Sequence, residues 1–416
     1  MEANIKICFV SASLYSLPKL TGIEVLLKHT LKELTHEEGH EIFVITTGPH
    51  RSTKRCIGEI DGVKVYSFYP LNIFERSTAS EHSLPLRLIY HAIDHIWNPH
   101  PYHVIRDILR EEKPDVVHVH NWRGLSPSVF DAVKSLGIPL VLHVHDYVLI
   151  CPKSSLLRRS GEICAKQPPL CKLYKAIKSI AVGGKPDLVI GNSQFVIDQL
   201  RESGFFKDIP AAKLYSAIEL ENIEYVEKNY EVIDVLFSGR LHSSKGVEIL
   251  IDAFRQIKHE GIRLHIAGGG PEEKKLKIMA EGDSRIVFYG YLPVGKLEEL
   301  YKKANITVVP SVWHEPFGII TIESFKYGTP VLGSNMGGIP ELIEDNQNGL
   351  LFEAGNTDQL KDKLESLINN PAELRRLSLG AFESVKRFDI KHHVAELLKF
   401  YKEVINERQD TAGRAS

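Results

Sequence analysis

Short apolar runs alternate with segments of helical period along nearly the whole chain, and the alternation starts over once. The runs at 5–13, 41–47, 63–68, 115–120, 139–147 and 187–193 read as strands. Several are apolar on both faces, as parallel strands covered by helices must be. Between the first two, Ile23, Leu26, Leu27, Leu31 and Leu34 form one helical stripe that Gly39 terminates. After a polar, acid-rich stretch at 221–231, strands recur at 235–239, 263–267, 286–289, 306–310, 331–333 and 350–352. Two such series predict an α/β protein of two doubly wound, Rossmann-like domains. The expected division is 1–220 for the first domain, 221–231 for the linker and 232–391 for the second. An amphipathic helix at 392–407 is expected to pack back onto the first domain. A chain of 416 residues is too long for one ordinary core, which agrees with two domains. Ligands of such domains bind beyond the carboxyl ends of the strands, so the central cleft between them is the expected site.

Composition narrows the function classes. Hydrophobic residues make up 43% and charged residues 25%, a soluble globular balance. A formal net charge of −2 provides no global basic field, so nucleic acid is not expected as a partner. The apolar run at 5–10 is interrupted by Lys6 and followed by Pro18 and Lys19, which reads as a buried strand and not as a signal peptide. No apolar run approaches bilayer-spanning length. Five cysteines, an odd number, suggest a reducing compartment and mostly free thiols. The expected location is cytoplasmic.

The second half carries the densest chemistry. Ser238-Gly239-Arg240 ends a strand and Lys245-Gly246 opens the next helix, so an Arg and a Lys stand where backbone amides and a helix dipole favour an anion. Two solvated loop cations are the plain alternative. Gly268-Gly269-Gly270-Pro271 follows another strand, where glycine permits close backbone approach or a simple turn. In the segment 310–323, Glu315 falls in a strand-to-helix loop and Glu323 about one turn into the helix that begins near Gly318. Each carboxylate can accept two hydroxyl hydrogen bonds, as a ribose or sugar ligand should. Either acid alone reads as a surface residue.

Taken in order, Arg240-x4-Lys245, the Gly-Pro turn, Glu315-x7-Glu323 and Gly337-Gly338-Ile339-Pro340-Glu341 resemble the signature of the large family-four retaining glycosyltransferases with the GT-B fold. The resemblance covers nearly the whole chain. It implies that Arg240 and Lys245 bind the diphosphate of a nucleotide-sugar donor. It further implies that Glu315 faces the donor sugar and Glu323 binds the nucleotide ribose. The backbone of Pro316, Phe317, Gly318 and Ile319 would hold phosphate and sugar, with Gly239 and Gly269 lining the donor.

The first half matches more loosely. Thr21-Gly22-Ile23-Glu24 stands where the family has a Gly-Gly-Ile-Glu loop near the donor phosphates, so Gly22 alone must supply backbone room. His118 and His120 share one strand face, as do His143 and His145. Core or hydrogen-bonded histidines and a four-histidine metal site are both open readings, although no carboxylate cluster beyond Asp146 supports a metal. The resemblance places His145 at the strand end, facing donor sugar and acceptor. Cys151, Cys164 and Cys171 lie in a basic loop with Arg158, Arg159, Lys166 and Lys172, in a spacing that is no recognised zinc knuckle.

The resemblance also implies retention of anomeric configuration, and the residues themselves, Arg240, Lys245 and a helix N-terminus, are expected to neutralise the leaving diphosphate without metal. No cofactor is expected beyond the donor substrate. The acceptor is left as a sugar, glycan, lipid-linked or small-molecule species. Two segments, 84–97 with several Leu and Ile and Trp97, and the basic 158–178, fit either peripheral contact with the inner face of a membrane or an ordinary helix and solvated loop. Three rival classes remain. A dinucleotide oxidoreductase lacks its Gly-x-Gly-x-x-Gly, since Ser11-Ala12-Ser13 follows the first strand. A sugar-nucleotide epimerase is separable by its products. A degenerate binding module would not need both Glu residues, the Arg and the Lys.

Overall fold

The computed structural model describes residues 4–12, 14, 22–37, 39–48, 52–72, 81–158 and 161–415. Two sheets organise it. The first has eight strands: β1 Lys6–Ser11, β2 Glu41–Thr47, β3 Cys56–Ile60, β4 Val63–Phe68, β5 Val116–Asn121, β6 Leu140–Val144, β7 Leu188–Gly191 and β8 Ala211–Lys213. Their order is β3-β4-β2-β1-β5-β6-β7-β8, parallel except where β3 runs antiparallel to β4. The second sheet contains β9 Ile233–Ser238, β10 Ile262–Ala267, β11 Ile286–Gly290, β12 Ile306–Val309, β13 Val331–Ser334 and β14 Gly349–Phe352. Its order is β11-β10-β9-β12-β13-β14, parallel throughout. These are two Rossmann-like units facing a central cleft.

The double-sided apolar runs do what their pattern requires. Cys8, Val10 and Ala12 enter one hydrophobic cluster of the first sheet, and Ile7 and Phe9 enter another on its opposite face. The second face is closed by both ends of the chain. Leu27, Leu31 and Leu34 of the Gly22–His36 helix meet Val394, Leu397, Leu398, Tyr401 and Val404 of the C-terminal Ile390–Ala415 helix in one cluster. Burying these side chains is worth roughly 1.5–3 kcal/mol each, enough to hold the returning helix on the first sheet.

Three expectations need adjustment. Strands β3 and β8 had no sequence signal: β3 is a solvent-facing edge strand without alternating burial, and β8 is three residues long. Gly22, expected in a loop, is the first residue of a helix. The 221–231 stretch holds no helix or strand, yet it is not a free tether. Lys228 within it is buried and donates to the carbonyls of Tyr301 and Lys302 and to Thr329 Oγ1 at 2.8–3.0 Å. Burial lowers its pKa to about 7.

Candidate functional site

In both sheets the strand order reverses at one place, between β1 and β5 and between β9 and β12. Loops leaving the strands there diverge and open a crevice, the usual ligand position in such folds. In the second sheet the loop after β9 carries Gly239, Arg240 and Lys245, and the loop after β12 carries Glu315 to Gly318. The Arg-Lys and Glu motifs thus converge because they follow neighbouring strands.

The turn after β9 passes through a short 3-10 segment, Ser243–Lys245, and enters the Val247–Gln256 helix at Gly246 with φ of 67°. A Cβ at Gly246 would sit 1.9 Å from the Pro310 carbonyl oxygen. Only glycine therefore lets the two loops touch. Arg240 and Lys245 line one cavity of about 690 Å³ together with Trp313 and with Lys153 and Arg158 from the first domain. A Cβ at Gly269 would make only an ordinary contact with the Glu273 carboxylate at 3.6 Å, whereas a Cβ at Gly268 would strike the Gly239 carbonyl at 1.8 Å. Close packing in the glycine run is thus internal as well as toward any ligand.

Lys245 and Glu315 form an ion pair across the two loops. Glu315 Oε1 also accepts from Ser311 Oγ at 2.8 Å, and the Lys245 ammonium lies 5.3 Å from the centroid of the Trp313 ring. Glu315 is buried, and its backbone is pinned by Gly338 N–H donating to its carbonyl at 2.7 Å. The Gly337-Gly338 pair belongs to this support, since a Cβ on Gly337 would collide with the Glu315 backbone at 2.4 Å. Phe317 points its side chain into the core with Ile339 and Phe388, so only its backbone is available to a ligand. Gly318, with φ of 100°, caps the Ile319–Lys326 helix, whose first amides begin at Ile319. Pro316 is engaged by the first domain: its carbonyl accepts from Ser193 Oγ at 2.5 Å. Glu323, one turn into that helix, is partly buried and accepts from Tyr301 Oη at 3.1 Å. Burial raises its pKa, and the Tyr301 hydrogen bond opposes that shift.

On the first domain, a second cavity of about 240 Å³ is lined by Ile23, Glu24, His120, Trp122, His145 and Asp146 among others. The start of the Gly22–His36 helix and the ends of β5 and β6 therefore meet there, and a Cβ on Gly22 would be unobstructed. Thr21 and Ser13 lie outside the described residues. His145, just past β6, is buried, and its Nε2 is 3.0 Å from His120 Nδ1. Burial, aided by nearby His393, depresses its pKa to about 3. His145 is therefore neutral at physiological pH and acts as a hydrogen-bonding group, not a proton reservoir. Asp146 pairs with Arg123 at 3.3 Å. All five cysteines are unpaired.

Sequence reasoning missed several participants. Trp313 and Ser311 flank the Lys245–Glu315 pair, but a lone Trp or Ser in a loop carries no signal. Glu341 was visible only as part of a motif. Its carboxylate accepts from the backbone N–H of Gln194 and Phe195 at 2.9 and 2.8 Å, at the start of the Gln194–Glu202 helix of the first domain. A carboxylate there satisfies orphan amides and complements the helix dipole. It ties the second domain to the first beside the cleft.

Comparison with known proteins agrees with this fold. Residues 20–215 match the family described as Glycosyltransferase Family 4, and residues 220–384 match Glycosyl transferases group 1. An uncharacterised 42.6 kDa protein of the cps region of Klebsiella pneumoniae is 29% identical over 334 residues, 79% of this chain and 85% of that protein. Sucrose-phosphate synthase from Thermosynechococcus elongatus superposes with a TM-score of 0.72 at 19% identity, covering 97% of this chain and all (100%) of that one. HepE of Anabaena, solved with UDP and glucose, gives 0.69 at 19% identity, covering 96% and 100%. Two family matches that together run from residue 20 to residue 384, on a fold shared with these enzymes, place the chain among the family-four-type glycosyltransferases of the GT-B superfamily.

Proposed function

We propose that this glycosyltransferase works with retention, moving a sugar from a nucleoside-diphosphate donor to a sugar, glycan, lipid-linked or small-molecule acceptor. The observation that carries the reading is the junction of Arg240, Lys245 and Glu315 at the switch point of the second sheet. In the proposed roles, Arg240 and Lys245 take the donor diphosphate, and the amides of Gly318 and Ile319 add positive potential. As the anomeric bond breaks, negative charge grows on the phosphate and positive charge on the sugar. Two fixed cations stabilise the first without a divalent ion. Glu315, exchanging its contact with Lys245 for the sugar, stabilises the second. Glu323 holds the ribose. His145, neutral and fixed by His120, orients sugar hydroxyls. Residues 1–220 form the acceptor side, and residues 232–391 hold the donor. Closure of the two over the cleft excludes water.

The test is a donor screen with UDP-, GDP-, ADP- and dTDP-sugars, with the anomer of the product read by proton NMR and no magnesium or manganese added. An α-linked donor is expected to give an α-linked product at a rate unchanged by adding either ion. An inverted product, or strict dependence on the added ion, would overturn this mechanism.

A second reading concerns where the acceptor is presented. The Leu84–His95 helix and the residues after it expose Leu84, Leu86, Ile89, Ile96 and Trp97, and the Pro169–Val182 helix exposes Leu170, Leu173 and Ile180. The two are joined by Lys178 donating to the His95 carbonyl at 2.8 Å and by the Tyr174–His95 ring contact. Lys166 and Lys172 lie exposed beside them; Arg159 and the side chain of Leu88 lie outside the described residues. None of the helices in the described residues is long and apolar enough to cross a membrane. Apolar side chains with basic neighbours suit an anionic bilayer surface, on the cytoplasmic face in this reading. Flotation with anionic vesicles at low salt should recover the protein, and high salt should release it. Absence of flotation at low salt removes the membrane reading.

A further inference from the structure

Beneath the cleft, β5 and β6 carry a group of imidazoles that the transfer chemistry does not use in full. We propose that His118, His120 and His143 form a buried binding site for a transition-metal ion of the zinc class. One ring nitrogen from each of the three lies within 4.8 Å of the others. Each of the three rings has at least one nitrogen with no other task. His118 Nε2, His120 Nε2 and both ring nitrogens of His143 are buried without a hydrogen-bond partner. Buried polar atoms are nearly always satisfied, so four orphaned nitrogens in one cluster call for a ligand.

The opposite edges of two rings are already held. His118 Nδ1 is 2.6 Å from Tyr401 Oη, on the returning C-terminal helix, and His120 Nδ1 is 3.0 Å from His145 Nε2. Metal-binding histidines are generally oriented in this way, through the nitrogen that does not bind the ion. All three imidazoles are held neutral by burial, which is the protonation state a metal requires. An all-imidazole set with no carboxylate selects zinc, copper or nickel over magnesium or calcium. Zinc–nitrogen bonds of about 2.0–2.1 Å would draw the rings together by roughly an ångström. The His118 and His143 rings lie parallel, 7° apart, so His143 must also turn; either of its free nitrogens can then serve. Two of the three rings, His120 and His143, also line the cavity beside His145, which is the nearest approach to the cluster from solvent.

This site is distinct from the diphosphate turn, and it stands or falls independently of the transfer reaction. Tag-free protein, stripped by a chelator and dialysed, should take up about one equivalent of Zn²⁺. With Co²⁺ in its place it should show the visible absorption of a low-coordinate ion, together with a raised thermal midpoint. His143→Ala should lose all three responses. His393→Ala, which removes a neighbouring ring outside the trio, should keep them. Failure of the wild-type protein to take up either ion at tenfold excess overturns the proposal even if His143→Ala does not fold. So does equal uptake by a folded His143→Ala.

Discussion

Lys245 sits between a carboxylate and an indole, and that position sets what the donor must displace. Its ammonium pairs with Glu315 and faces Trp313. On the roles proposed above, a diphosphate would offer a stronger counter-charge, and donor binding would free Glu315 for the sugar. The two carboxylates should then separate kinetically. Glu323→Ala leaves ribose hydroxyls unpaired and should weaken nucleotide binding by about tenfold, about 1.4 kcal/mol. Glu315→Gln should lower kcat by roughly 10²-fold, in the range for loss of one stabilising charge, while nucleotide affinity changes little. Calorimetry with nucleotide alone, beside steady-state rates, reads both. Unchanged affinity in Glu323→Ala removes the ribose role. These residues were singled out in the sequence because four motifs occur in order, whereas each motif alone has a plain surface reading. Their pairing was not, because Lys245 and Glu315 are 70 positions apart and meet only through the order of β9 and β12.

Strands β5 and β6 show what an element can impose on its side chains. His118, His120, His143 and His145 occupy one covered face, with His393 from the C-terminal helix stacked on His143. All five have pKa values pressed below the ordinary 6.5 by burial, to about 3 for His145 and about 4 for His393. The folded state refuses protons that the unfolded chain accepts. Stability is therefore fully present above pH 6.5 and is lost as pH falls toward 4. His145 and His393, with pKa values of about 3 and about 4, each contribute a slope approaching about 1.4 kcal/mol per pH unit in that window, and the other three act in the same direction. Thermal unfolding followed from pH 7.5 to 5 should show the midpoint falling steeply below 6.5, before carboxylates titrate. A flat profile over that range would mean that the histidines gain protons in the folded state. The shared strand face was readable from the two-residue spacing. The fifth histidine was not: the expected return of the C-terminal helix to the first domain did not say which of its residues would meet β5 and β6. Edge strand β3 was hidden for the opposite reason, because an exposed strand has no burial pattern to read.

Across the whole molecule, the two-domain α/β architecture was the most legible feature. Parallel strands covered on both sides need continuous apolar runs, and those runs are visible one by one. The arrangement of the domains was less so. The C-terminal helix crossing back was expected, but Glu341 reaching the Gln194–Glu202 helix and Ser193 reaching the Pro316 carbonyl are contacts between distant segments that no local pattern shows. The Ser193 contact holds the loop after β12 against the first domain, and both domains line the cavity that Arg240 and Lys245 share with Lys153 and Arg158. The account rests on that cavity accepting a nucleoside diphosphate. Isothermal titration of UDP, GDP, ADP and dTDP into the wild-type protein and into Arg240→Ala tests it most directly. At least one nucleotide should bind the wild type with one-to-one stoichiometry. Arg240→Ala should bind it at least tenfold more weakly while keeping its thermal midpoint within a few degrees. Binding of equal strength in both proteins, or of no nucleotide to the wild type, would contradict the account.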